Sequence, residues 1–510
     1  MRFVSTRSAS ATAEARKDYS FKEAVLAGWA DDGGMILPQQ VPKVSRETLR
    51  AWARLSYPQL CVEIFRLFVD ENDVPLEVLE DIMINKAFKR FGSSEVVEVK
   101  NVCPKEHANF NICELWHGPT LAFKDLGLQI LGQLLQYFLA QDRQNLLLLV
   151  GTSGDTGSAA IEAVKGLNNV DIMVLYPLKE YANISLVQEL QMTSCNRERN
   201  VDVLAVEGTS DDLDVPMEIL FRDAHYKREH RLGSINSVNI ARVLAQVVHY
   251  FYSFLCVCPG AANTASFFVP TGAAGHISAG VLAVQMGLPA ERLCAATNEN
   301  DILHRFISTG TLQKSGAVAQ TNSPSMDIQV PYNIERLMYI MTAGDSRQVI
   351  AWMNEFKATG RLGLSWEEMR PLRDLGLTSA MATSSRVLEV ISAVQCRGGY
   401  MLDPHTAVGV AAFLDAPPSQ GPSVCMACAH PMKFAETVAA AFQVSVDVAN
   451  HMMPDADHPS VSRVFQLLRD HGTVSTGSLP CQVLRRGEDW AMSLRKLIAT
   501  IETRRLQPKM

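Results

Sequence analysis

From about residue 96 onward the chain alternates short, continuous apolar runs with longer helical stretches. No other feature of the sequence constrains the fold as much. "NLLLLV" (145–150) precedes a helical stretch, and "DIMVLYP" (171–177) precedes "SLVQELQMT". "VDVLAVEG" (201–208) follows, then "SFFVPTG" (266–272) before "ISAGVLAVQMG". A strand that is apolar on both faces has to be covered on both faces, so the pattern predicts an α/β fold of mainly parallel sheets wrapped by helices. Ahead of this region, Ser20 and Glu23 have the spacing of a capping box that opens a helix, and Gly33-Gly34 closes the segment. "RETLRAWARLSYPQLCVEIFRLFV" reads as helical. The expected organisation is a mainly helical domain at 1–95, an α/β domain at 96–415 and a C-terminal segment at 416–510 that completes it. "DAPPSQGPS" (415–423) is a loop or a boundary.

At 510 residues, with 47% hydrophobic and 20% charged, the chain is ample for a large core. The net charge of −7 provides no basic field for nucleic acid or anionic lipid. No uninterrupted apolar run reaches the roughly 18 residues of a membrane span. The start is rich in Arg, Ser and Ala, with Glu14 its first acid. It fits either a mitochondrial presequence or a short strand, Phe3 to Thr6, followed by a polar loop, and the second reading is adopted. Eleven scattered cysteines suit reduced thiols in a cytoplasmic protein better than a disulfide framework. Cys425 and Cys428 form one CxxC with no second pair after it, which argues against zinc. His451 to His458, with Pro454 and Pro459, reads as a polar loop. A monomer or a homodimer is expected.

Three places carry chemistry. Lys124 sits at the mouth of the apolar run "ELWHGPTLAFKDLGLQILGQLL", between Phe123 and Asp125. An exposed lysine there would serve solubility, whereas a partly buried one is a potential nucleophilic amine. The strand-to-helix turn "LLLLVGTSGDTGSAAIEAVKG" contains Gly151, Gly154 and Gly157 with Thr152, Ser153 and Thr156. A second turn, "FFVPTGAAGHISAG", contains Gly272 and Gly275. Amides at a helix start favour an anion, and a small-residue loop can cradle a phosphate. Neither turn is a Walker A loop or a GxGxxG fingerprint. Glycine turns are common in α/β proteins. Two of them with a lysine in an apolar setting point to a phosphorylated cofactor that bonds to lysine, which pyridoxal 5'-phosphate is.

"HGPTLAFKD", "TSGDTGSAA", "QELQMT", "SINSVNIARVLAQ", "NENDILHRFISTG", "SPSMDIQVPYNIERL" and "DPHTAVG", in this order, resemble the threonine synthase family of microbial and fungal type. "FVSTR" and "FKEAVLAGWADDGGMILP" do so at the N-terminus. "PTGAAG" and "LRRGEDWAMSLRKLI" look closer to the threonine-synthase-like branch of animals. The resemblance implies a fold type II pyridoxal-phosphate enzyme acting on O-phosphohomoserine. It makes 1–95 the family's N-terminal domain and 96–415 the cofactor-binding catalytic domain. Lys124 would form the Schiff base with the cofactor and shuttle protons. Gly272, Ala273, Ala274, Gly275 and His276 would hold the cofactor phosphate, and Cys428 would meet the pyridine nitrogen. Thr152, Ser153, Asp155 and Thr156 would meet the substrate carboxylate or phosphate. Asn236, Asn239 and Arg242 would line the substrate site, with Arg242 as the phosphate clamp.

The chain departs from the family pattern in three places. Its phosphate loop is Gly-Ala-Ala-Gly-His where the family commonly has Gly-Asn-Phe-Gly-Asp. Cys428 stands where the family often has threonine. "PLKEYANISLVQE" replaces the usual Pro-Lys-Gly-Arg-Val-Ser stretch. The expected reaction is conversion of O-phosphohomoserine to threonine and phosphate. The alternatives are a phospho-lyase releasing 2-oxobutyrate, ammonia and phosphate from O-phosphohomoserine or O-phosphothreonine, a serine or threonine dehydratase, and a non-catalytic binding or signalling relative.

Overall fold

The computed structural model describes residues 1–8, 17–102, 107–152, 154–196, 198–210, 212–473 and 481–506. Two largely parallel sheets form its frame. The larger runs Leu377–Met381, Ala290–Thr297, Ala265–Pro270, Ser423–Ala427, Phe110–Glu114, Glu98–Asn101. Its neighbours are all parallel except the last pair, which is antiparallel. The smaller runs Gln482–Leu484, Val201–Val206, Val170–Pro177, Leu146–Gly151, Leu232–Gly233, and is parallel throughout. The apolar runs read from the sequence are central strands here, and Val170–Pro177 is buried along its whole length. The segment 416–510 gives one strand to each sheet, Ser423–Ala427 and Gln482–Leu484.

The N-terminal region is less purely helical than its sequence suggests. Phe3–Ser5 is the central strand of a three-stranded antiparallel sheet, between Asp18–Tyr19 and Ile36–Pro38. Phe3–Ser5 is the strand expected at Phe3 to Thr6, whereas its two partners, of two and three residues, are too short for a period-2 pattern to show. The capping box is formed, with Glu23 N–H donating to Ser20 Oγ and Ser20 N–H to a Glu23 carboxylate oxygen. That helix, Phe21–Ala27, ends at Gly28 rather than at Gly33-Gly34, because Gly28 already takes the positive φ of 65°. Residues 9–16, including Glu14, lie outside the described residues.

Helix Ile240–Val257 is the spine of the core. It packs against Lys124–Asp142, Gly275–Met286 and Tyr57–Phe65, joining the N-terminal region to both sheets. By length and composition it could cross a membrane, but 83% of it is buried inside the protein, as expected of a core helix. His451 ends a short helix, Val446–His451, and turns lead from it to His458.

Candidate active site

Strands Leu146–Gly151, Ala265–Pro270 and Ser423–Ala427 end at one cavity of about 160 Å³. This is where ligands bind in parallel α/β folds, since strand carboxyl ends and helix starts converge there. The cavity is lined by Lys124, Gly151, Thr152 and Thr156, by Gly272 to His276, by Asn236 and Arg242, and by Cys428. Ser325, Tyr332, Gln246 and His405 also line it. Sequence reasoning assigned these four no role, although three of them fall within "SPSMDIQVPYNIERL" and "DPHTAVG".

Lys124 opens the helix Lys124–Asp142 and is 9% exposed. The preceding turn is pinned on both sides. Phe123 N–H donates to Cys428 O at 2.8 Å, and His430 N–H donates to Leu121 O at 3.0 Å. Asp125 accepts from Thr120 N–H and Thr120 Oγ at 2.8 and 2.9 Å, closing the turn at the helix start. Burial pushes the Asp125 carboxyl up to about 7 despite these bonds. Lys124 Nζ lies 4.5 Å from the centre of the Phe123 ring and 3.0 Å from Asp155 Oδ2.

Asp155 does not take its expected place. It lies behind Lys124, 1% exposed and off the cavity wall, where it cannot meet a substrate anion. Lys433 binds its other oxygen, Oδ1, at 3.1 Å and Gln188 Nε2 donates to Oδ1 at 2.8 Å, while Ser325 Oγ donates to Oδ2 at 3.1 Å. Burial would raise its pKa, but the Lys124 and Lys433 ammoniums and His405 outweigh that and hold it well below the usual carboxylate range. Thr152 is on the wall, with its Oγ accepting from Gly154 and Gly157 N–H at 3.0 and 2.9 Å, so it shapes the turn. Gly154 has φ 129°, and a Cβ there would sit 2.6 Å from Gln188 Nε2. Ser153 lies outside the described residues.

The loop Gly272 to His276 approaches the cavity with its backbone. A Cβ on Gly272 would stand 3.0 Å from Met326 Cα, so a larger residue there would press on the backbone behind the loop. Asn333 Nδ2 donates to Ala273 O at 2.9 Å, and Ala274 is held at φ 63° just before the helix Gly275–Met286. The first amides of that helix have no intrahelical acceptor. His276 stacks on Phe123 with ring centres 5.1 Å apart. Burial, then the Lys124 charge, pushes its imidazole down to about 3, so it is neutral.

Arg242 is 3% exposed, and burial lowers its guanidinium to about 10. Nη1 donates to Ile235 O at a long 3.4 Å, and Nε has no partner among the described residues. Asn236 Oδ1 on the same wall is also without a partner. Asn239, expected beside them, faces elsewhere. Its Oδ1 accepts from Ala241 N–H at 3.1 Å as the cap of helix Ile240–Val257, and its amide donates to Val25 O at 2.8 Å. Cys428 is on the wall, with burial pushing its thiol up and its N–H donating to Thr406 Oγ at 3.0 Å.

Two wrapped parallel sheets with a buried lysine at their shared cavity define the class of fold type II pyridoxal-phosphate enzymes. The family model for the threonine synthase N terminus matches residues 2–88, and that for the threonine synthase C-terminal region matches 406–467. Threonine synthase-like 2 of Homo sapiens is 37% identical over 486 residues, covering 94% of each chain. Threonine synthase of Saccharomyces cerevisiae is 38% identical over 463 residues, 86% of this chain and 88% of its own. The crystal structure of pyridoxal-phosphate-bound threonine synthase from Brucella melitensis superposes with a TM-score of 0.84 at 34% identity, covering 99% of this chain and all of the other. The chain belongs to the threonine synthase family.

Proposed function

We propose that the protein uses pyridoxal phosphate to convert O-phosphohomoserine to threonine and phosphate. The observation that carries the reading is Arg242, a buried guanidinium whose Nε lacks a partner, on the wall that also carries Lys124. A phosphorylated substrate supplies the anion that such a cation fits. The residues present fit the cofactor, because a buried amine, a small-residue loop at a helix start and polar atoms awaiting partners converge on one cavity.

The loop Gly272 to His276 would hold the cofactor phosphate through its amides. Bound there, pyridoxal phosphate supplies an electron sink for the bond broken at the substrate α-carbon. Arg242 would hold the substrate phosphate with its guanidinium in a bidentate grip, and Asn236 would line the substrate site beside it. Lys124 Nζ takes the α-proton as a free amine and carries protons between carbons, while Asp155 orients it from behind. Cys428, a neutral thiol on the cavity wall, would face the pyridine nitrogen and would donate only weakly, so that nitrogen would have no strong acid beside it.

The test is a product assay on purified protein supplied with O-phosphohomoserine. Stoichiometric threonine and phosphate are expected. Phosphate with 2-oxobutyrate and ammonia would show that water does not add at the β-carbon and would replace synthase with phospho-lyase. No phosphate release would reject both.

A further inference from the structure

Asp155 lies between two lysines that are unlike in one respect. Lys124 lines the cavity, whereas Lys433 does not and has no solvent exposure. Lys433 Nζ lies 3.1 Å from Asp155 Oδ1, 2.7 Å from Thr120 O and 2.8 Å from Gln191 Oε1. Three acceptors satisfy the three N–H donors of an ammonium, so Lys433 is held as a fixed cation. It does not line the cavity and can act there only through Asp155 or through the field of its own charge.

Lys124 must lose its proton to act as a nucleophile or a base. A buried carboxylate left at that moment with only neutral donors would itself tend to take up a proton. Asp155 would then cease to be a charged partner for Lys124 just when the lysine has to accept and return protons. We infer that Lys433 is a positioning residue, a permanent counter-cation that keeps Asp155 ionised while Lys124 is a free amine and that eases the deprotonation of Lys124. The second effect follows from sign alone, because a nearby like charge disfavours the charged form of an amine. This inference rests on Lys124 being the reactive amine of the proposed function.

The other titratable groups facing this trio are few. His405 faces Asp155, with Asp403 behind it, 3.1 Å from His405 Nδ1. His276 and Cys428 face Lys124, and burial keeps both uncharged near neutral pH. Arg242 stands across the cavity wall and stays charged. Asp125 faces Lys433 and, with its carboxyl near 7, titrates in the range of interest. Comparisons in an Asp125→Asn background remove its contribution.

The test follows acylation of Lys124 by acetic anhydride in the full chain freed of cofactor, with peptide mass spectrometry across pH. In Lys433→Met and Lys433→Gln the rate at pH 7 should fall about tenfold, and the profile should move to more alkaline pH. Lys433→Arg keeps the charge and should stay near the parent. Gln191→Leu removes one acceptor of Lys433 but no charge, and should also stay near the parent. A folded Lys433→Met or Lys433→Gln with an unmoved profile overturns the inference, even if its melting temperature drops. A shift of equal size in Gln191→Leu also overturns it, because lost packing would then explain the effect. The cofactor readout is separate. If borohydride fixes the cofactor to a lysine other than Lys124, the functional reading fails. An unmoved profile with the label on Lys124 fails this inference alone.

Discussion

Arg242 and Arg336 are both buried guanidiniums, 3% and 0% exposed, and burial lowers both to about 10. Both donate to the same short stretch, residues 235–238. They differ in what their donors meet. Arg336 Nη2 donates to Val238 O at 2.5 Å, Nη1 to Ser237 O at 3.0 Å and also to Asn333 Oδ1, and Nε to Ile36 O at 3.4 Å. It ties the N-terminal strand Ile36–Pro38, the loop and Asn333 into one body. Asn333 in turn holds Ala273 of the loop Gly272 to His276. Arg242 has one long bond to Ile235 O and an open cavity before it. A guanidinium whose donors meet three backbone carbonyls and a neighbouring side chain is architecture. One whose donors face a cavity is a ligand site, since a buried charge without an anion is costly until the anion arrives.

The largest effect expected of this contrast is on stability. Arg336→Met strips donors from three carbonyls at once and should cost about 3 kcal/mol or more, read as a lowered denaturation midpoint with unchanged slope. If that variant were as stable as the parent, the architectural role would be gone and the two arginines would be alike. The smaller stability effect is expected at Arg242. Arg242→Met removes an unpaired buried charge and should shift stability by no more than about 1 kcal/mol. It should raise KM for O-phosphohomoserine at least about tenfold, with kcat changed less and cofactor retained. Loss of cofactor with an unchanged KM would move Arg242 from the substrate side of the cavity to the cofactor side.

What the sequence made legible was local. The parallel sheets show as apolar runs, and Lys124 and both glycine turns stand within single short stretches where strand, turn and helix follow one another. What it hid depends on distant partners. Lys433 meets groups 242 and 313 residues away in the chain, and no spacing rule connects them. Asp155 opens a helix beside the glycine turn, and the resemblance made it ligand-facing, whereas it sits between Lys124 and Lys433. Asn239 is a different kind of miss. An asparagine just before the apolar helix "IARVLAQVVHYF" is a standard N-cap signal, and a capping argument would have assigned it to the helix. In the N-terminal sheet the strand at Phe3 was legible, but its partners Asp18–Tyr19 and Ile36–Pro38 escaped because they are only two and three residues long.

The central claim is that Lys124 is the reactive amine of the cavity and Lys433 its silent neighbour across Asp155. The most direct measurement is borohydride reduction of the protein with bound pyridoxal phosphate, followed by peptide mapping of the modified lysine. The account predicts a single phosphopyridoxyl group on Lys124 and none on Lys433, because only Lys124 reaches the cavity. Label on Lys433, or on any lysine outside the cavity wall, would contradict it.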